Sequence, residues 1–213
     1  MSSSTKRLTL AGLAGEIEVL RDEPMLPGGV QARGVAVIAH PHPLFGGTME
    51  NKVVQTIARA FVLCGWSAVR FNFRGVGGSA GVHDAGRGET DDMLTVIEQC
   101  APTGPLALGG FSFGSFVASR ALAAITGTRT IERIVLVGTA ASRFDVPTLP
   151  TDLLGATLVI HGEHDDTVPL IDVFDWARPQ NLPVTVIPGA GHFFHGQLPL
   201  LRSLVTRHLT STS

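Results

Sequence analysis

The stretch GGFSFGS, residues 109–115, contains the pattern G-x-S-x-G centred on Ser112. This pattern is the form taken by a sharp strand-to-helix turn that presents a nucleophilic serine. A serine hydroxyl is a weak nucleophile at neutral pH and needs an adjacent base, itself oriented by a third group. Downstream the chain supplies His192 and His195 as bases, and Glu163, Asp165 and Asp166 as acids, with Asp145 as a further acid candidate. Together these residue types could carry out acyl transfer. The pattern alone is cheap in a chain with 25 glycines, and a second match, Gly77-Gly78-Ser79-Ala80-Gly81, is present. The flanking elements must decide.

An elbow of this kind needs a strand, then the nucleophile, then a helix with no spacer, and its crowded backbone requires very small flanking residues. Ser112 meets that demand: LALGGF leads in, and FGSFVASRALAAI, rich in helix formers, leads out. Ser79 does not, because its strand ends several residues earlier and the loop GVHDAGRGET follows, so it reads as turn chemistry. The same region, Gly75-Val76-Gly77-Gly78-Ser79-Ala80, imitates a dinucleotide fingerprint. That motif requires a helix to open at once, and none is expected there.

The elements that would position these groups are legible in the apolar pattern. Residues 6–23 alternate as an antiparallel hairpin. Continuous apolar runs follow at 35–39, 67–73, 106–108, 134–137, 157–160 and 184–187, the mark of strands buried on both faces. Helical periods separate them at 50–63, 89–99, 113–125, 169–177 and 198–209. This alternation predicts an α/β fold: the hairpin plus about six parallel strands in one twisted sheet, flanked by helices. With 213 residues, 44% apolar and 16% charged, and no repeat or linker, a single domain spanning 1–213 is expected. In such sheets the ligand site lies beyond the carboxyl ends of the strands. The first apolar run ends in HPHPLFGG and the third in GFSFG; the last two lead into HGEHDD and PGAGH. Serine, carboxylates and histidines therefore collect on one edge.

Composition narrows the partners. A formal net charge of −2 gives no electrostatic case for nucleic acid or anionic membranes. Cys64 and Cys100 lack C-x-x-C spacing and read as small buried hydrophobes. No apolar segment suits a signal peptide or membrane insertion, so a cytoplasmic protein is expected. His40-x-His42 and His161-x-x-His164-Asp165 invite a metal reading, but their spacing fits no metal motif and it leaves the Ser112 elbow unexplained. His40 and His42 read instead as groups that shape their loop, and His83 and His208 as surface residues.

His192 follows the flexible Pro188-Gly189-Ala190-Gly191 and ranks before His195, which Phe193 and Phe194 separate from that loop. Among the acids, Asp165 precedes Val168-Pro169, where a helix starts, while Asp166 or Thr167 could cap that helix. At this point HGEHDDTVP resembles the G-x-x-D-x-x-V-P acid loop of α/β-hydrolases related to dienelactone hydrolase. GAGHFF is similar to their histidine loop and FRGVGGSAG to their second-strand loop, while HPHPLFGGTMENK resembles a compact bacterial group of predicted α/β-hydrolases. The resemblance spans roughly residues 34–195. It implies the α/β-hydrolase fold, the chain order Ser112, Asp165, His192, and Asp165 as the acid. Dienelactone hydrolase uses cysteine where this chain has Ser112, so the resemblance does not extend to its substrate.

An oxyanion hole would combine the N–H of Phe113 with one from the loop after the first apolar run, where Pro41 and Pro43 have none to give. Leu44 is the first choice and His42 the alternative. Only SRFDVPTLPTDLLG separates the fourth and fifth runs, so no cap domain is expected. The site should be open, rimmed by Leu44, Phe45, Phe113, Phe144 and Phe193, with Phe45, His42, Phe144 and Phe193 as substrate contacts. The expected activity is acyl-enzyme hydrolysis of a small carboxylic ester or thioester, with no cofactor and no metal. The alternatives are a non-catalytic binding protein on the same fold and, behind it, a metal-dependent hydrolase. Sequence does not address oligomeric state.

Overall fold

Strands that are apolar on both sides must be covered on both sides, and the central strands of this chain are. The computed structural model describes residues 3–211. The first central strand, β3 (Val35–Ala39), sends Val37 and Ala39 into one core and Ala36 and Ile38 into the other, as the two-residue period of a strand requires. Ahead of it, β1 (Ser3–Gly12) and β2 (Gly15–Pro24) form the expected hairpin. Next come α1 (Lys52–Leu63), β4 (Ser67–Phe71), α2 (Arg87–Cys100), β5 (Leu106–Phe111) and α3 (Phe113–Ile125). Then follow β6 (Ile131–Val137), β7 (Thr157–Gly162), α4 (Leu170–Ala177), β8 (Val184–Ile187) and α5 (Leu198–Thr210).

Among the described residues the strands form one eight-stranded sheet, ordered β1-β2-β4-β3-β5-β6-β7-β8. Strands β3 to β8 run parallel, while β2 joins β4 antiparallel. Helices α1 and α5 cover one face through Ile57, Phe61, Leu201 and Val205. Helices α2, α3 and α4 cover the other through Met93, Val96, Val117 and Val173. Between β6 and β7 the chain forms a loop and a 3₁₀ turn (Thr151–Ala156), with no lid. The expected positions hold to within a few residues. β4 stops at Phe71, two residues short of the apolar run. β5 continues past Leu108 because Gly109 and Gly110 still pair with β6.

A buried ion pair and a buried imidazole lock the hairpin and the strand ends in place. Arg70 on β4 and Asp22 on β2 are both buried; Arg70 donates Nε and Nη2 to Asp22 Oδ2 at 3.0 and 2.9 Å. Arg70 Nη1 donates to the Met49 carbonyl at 3.0 Å, so the same guanidinium holds the chain leading into α1. His40, just past β3, is fully buried; its Nε2 accepts from Phe73 N–H at 3.0 Å and its Nδ1 lies 2.6 Å from the Pro41 carbonyl. Burial pushes this imidazole down to about 4, against the opposing pull of the Pro41 carbonyl.

Two outcomes follow from these contacts. Arg70→Met leaves the Asp22 carboxylate buried without its cation, and urea unfolding should show a loss of about 3–5 kcal/mol. His40 stays neutral in the folded chain while the unfolded chain takes up a proton below about 6.5, so stability is lost as pH falls from there toward 4. At full extent this amounts to about 3 kcal/mol, and His40→Gln, which keeps an acceptor for Phe73 N–H, should flatten stability against pH by up to about one proton across that window.

Candidate active site

The site is assembled where β5 passes into α3. Ser112 stands between them with φ 55° and ψ −119°, a conformation that side chains resist. The surroundings enforce it. A Cβ on Gly110 would lie 2.3 Å from the Gly114 carbonyl oxygen, and a Cβ on Gly114 would lie 2.3 Å from the Ala39 carbonyl oxygen. Both glycines of the G-x-S-x-G pattern are therefore close-approach positions. Ser112 N–H donates to the Val137 carbonyl at 2.8 Å. One turn into the helix, Ser115 Oγ donates to the Gly110 carbonyl at 2.8 Å and accepts from Val137 N–H at 3.2 Å.

The loop after β8 brings His192 over the serine: its Nε2 lies 3.0 Å from Ser112 Oγ and its Nδ1 2.7 Å from Asp165 Oδ2. The next residue but one, Phe194, is fully buried at φ 52°, so core packing pins this loop despite the strained backbone. On the β7 side, Asp165 Oδ1 accepts from Thr167 N–H at 3.0 Å and Val168 N–H at 2.8 Å, leaving Oδ2 for His192. Burial alone would raise the Asp165 carboxyl; the hydrogen bond and charge of His192, with Val168 N–H, hold it below the ordinary value. His161 lies behind, fully buried, with Nε2 2.8 Å from the Val168 carbonyl and 3.4 Å from Asp165 Oδ2. Burial lowers its pKa, with the Val168 carbonyl and Asp165 pulling the other way.

The other candidates have different work. Glu163 Oε2 accepts from Gly189 N–H at 2.8 Å, tying the acid loop to the histidine loop. Asp166 accepts from Thr167 Oγ1, and α4 begins after Pro169 with no side-chain cap, so neither Asp166 nor Thr167 caps it. Asp145 and His195 are exposed. Ser79 is buried, with Oγ donating to the Asn72 carbonyl at 2.7 Å and accepting from Glu18 N–H at 2.9 Å. Among the described residues no group of three or more His, Cys, Asp or Glu side chains is arranged to hold a metal ion.

A cleft of about 580 Å³ opens over Ser112 and His192. His42, Phe45, Phe113, Phe144 and Phe193 line it; Leu44 does not, and is 69% exposed. The Leu44 N–H points back to His42 Nδ1 at 3.2 Å, within a 3₁₀ turn over Pro43–Phe45. The N–H groups of Phe45 and Gly47 both donate to the His42 carbonyl. That turn spends the donors after His42 and leaves the His42 N–H without a partner among the described residues. Phe113, first residue of α3, likewise has no acceptor one turn back.

Sequence reasoning misplaced two histidines and missed one residue of the cleft. His83 was expected at the surface, yet its side chain is only 16% exposed; Nδ1 lies 2.7 Å from Glu89 Oε1, and its ring lies 4.8 Å from that of His42. His208, also expected at the surface, is part-buried with Nε2 3.0 Å from the Ala156 carbonyl. Arg143 lines the cleft beside Phe144, a position that no motif marks.

No family model matches the chain. It is 33% identical to the uncharacterized protein RP471 of Rickettsia prowazekii, the match covering 75% of this chain and 71% of that one. Among solved structures, it is similar to XC6422 from Xanthomonas campestris, an α/β serine hydrolase without lid. That match has a TM-score of 0.85 and 35% identity, over 100% of this chain and 99% of the other. An α/β serine hydrolase homologue from Coxiella burnetii superimposes with TM-score 0.82 and 34% identity over 96% and 97% of the two chains. With a third of the residues identical across almost the whole of both chains, on one fold, this chain belongs to the α/β serine hydrolases without lid.

Proposed function

We propose that this chain hydrolyses small carboxylic esters or thioesters through an acyl-enzyme on Ser112. The observation that carries the reading is the relay Ser112–His192–Asp165, with contacts of 3.0 and 2.7 Å, at the floor of an aromatic-lined cleft. In the neutral imidazole, Nδ1–H donates to Asp165 and Nε2 accepts from the serine hydroxyl. Ser112 Oγ attacks the carbonyl carbon as its proton passes to His192 Nε2. The tetrahedral oxyanion is held by the N–H groups of Phe113 and His42, and the collapsing intermediate expels the alcohol or thiol, which takes the proton from His192. Water then attacks the acyl-enzyme, again giving its proton to His192. Release of the carboxylic acid returns that proton to Ser112.

The placement of the second donor on His42 rests on the 3₁₀ turn, which commits the Leu44 N–H elsewhere. Asp165 acts by fixing the imidazole tautomer and by balancing the imidazolium that forms. Its depressed pKa keeps it ionised for both tasks. Phe45, Phe144 and Phe193 contact the acyl or leaving group along the cleft wall.

Intact-mass spectrometry after fluorophosphonate treatment tests the nucleophile. One adduct on the wild type, absent in Ser112→Ala and retained in Ser79→Ala, is the expected result; no adduct on the folded wild type would sink the mechanism. Asp165→Asn preserves the shape but no longer favours the Nδ1–H tautomer, and kcat on a p-nitrophenyl ester should fall by roughly 10³–10⁴, with a much smaller change in KM.

A further inference from the structure

Among the described residues, the cleft lining carries one permanent charge, Arg143, and nothing neutralises it. Arg143 is exposed and lines the cleft with Ser112 and His192. Elsewhere Arg7, Arg21, Arg33, Arg70, Arg74, Arg87 and Arg178 each meet a carboxylate, while Arg202 and Arg207, which also meet none among the described residues, lie outside this cleft. Even Arg120, without an acid, lies over the Phe116 ring. Among the described residues no carboxylate, carbonyl or aromatic ring takes the Arg143 guanidinium. No lining residue is acidic, and Asp165 sits behind His192 and is spoken for by it.

The backbone that presents this arginine is fixed. Arg143 N–H and Phe144 N–H both donate to the carbonyl of Ala140, which is buried. The Phe144 ring stacks on Phe116 at 4.7 Å and packs against Phe113 at 5.1 Å. Further along, Trp176 Nε1 donates to the Val146 carbonyl at 3.1 Å. An exposed arginine on an anchored backbone, lining an apolar cleft and with no partner for its fork of donors among the described residues, can meet a carboxylate or phosphate there.

Resting on the hydrolase reading above, we infer that Arg143 selects acyl substrates that carry a second, anionic group, a carboxylate on the acyl chain or a phosphate on the leaving group. The apolar wall takes the chain between the two charges, and the arginine takes its far end. This contact forms alike in the bound substrate and the transition state, so its signature lies in KM rather than kcat.

The test compares matched pairs on the purified full chain. One arm sets the p-nitrophenyl half-ester of glutaric acid against neutral p-nitrophenyl pentanoate. The other sets acetyl-phosphopantetheine against acetyl-pantetheine. The expected result is a charged-to-neutral ratio of kcat/KM of about 10 or more in at least one arm, shrinking as salt rises, and that arm identifies the source of the anion. Arg143→Gln should lower that ratio about tenfold through KM, Arg143→Lys should keep part of it, and Arg143→Glu should drive it below one. A ratio near one in both arms of the wild type, or one that Arg143→Gln leaves in place, overturns the inference while the hydrolase reading stands. Fluorophosphonate labelling of Ser112, read in parallel, separates the two failures, since a wild type that neither labels nor turns over any ester overturns both.

Discussion

A strand can run straight into a helix only if the residue between them adopts a backbone conformation that side chains resist, and Ser112 does so at φ 55° and ψ −119°. Everything at the active edge is arranged around that residue. The turn is tight enough that the first helical turn of α3 touches the strand it left and the chain after β3, which is why neither Gly110 nor Gly114 has room for a Cβ. The same closeness brings the free N–H of Phe113 beside the loop that carries His42. The hydroxyl of Ser115 then stitches the elbow to β6. One strained residue thus places both the proposed nucleophile and one of the two proposed oxyanion donors.

The polar groups around it divide by how they are kept neutral or charged. His40 is buried with both ring nitrogens engaged and stays neutral, a fixed strut between the ends of β3 and β4. Asp165 is also buried but stays charged, because two backbone N–H groups and His192 supply what water would have supplied. His161, close to the same carboxylate, is held neutral by burial and lends its contact to the Val168 carbonyl instead. The buried carboxylate therefore meets His192 on one side, and the same imidazole reaches Ser112 Oγ on the other.

How much of this was legible in the sequence follows from what each feature depends on. The sheet and helices could be read because apolar runs and helical periods report burial directly, and the elbow could be read because steric exclusion leaves a glycine signature. The choice of acid could not be made from spacing. Glu163, Asp165 and Asp166 differ only in where a tight turn aims them, and it is the turn that gives Asp165 the N–H groups of Thr167 and Val168; there the family resemblance, not the residues alone, pointed to Asp165. The proposed second oxyanion donor was hidden for a related reason. Whether Leu44 or His42 offers its N–H depends on a 3₁₀ turn in which the His42 side chain captures the Leu44 donor. His83 and Arg143 left no pattern at all, because each matters through what the fold brings near it: the buried Glu89 in one case, and no partner among the described residues in the other.

Without a lid, selectivity cannot come from closure, and it falls to side chains held on short, well-anchored loops. The aromatic wall illustrates the cost and the remedy. Phe45 and Phe193 are substantially exposed, 85% and 46%, at the mouth of the cleft. Phe113, Phe116 and Phe144 are packed against one another, and His42 and His83 lie on the same cluster. The inner wall is therefore rigid while the outer rim stays open to solvent. In an open cleft, water competes for every polar contact, so shape alone discriminates weakly among short acyl chains; one methylene is worth only about 1–3 kcal/mol. The proposed contact to Arg143, carried on an anchored backbone, adds what an open apolar groove lacks: a directional, salt-sensitive contact that a neutral substrate cannot make.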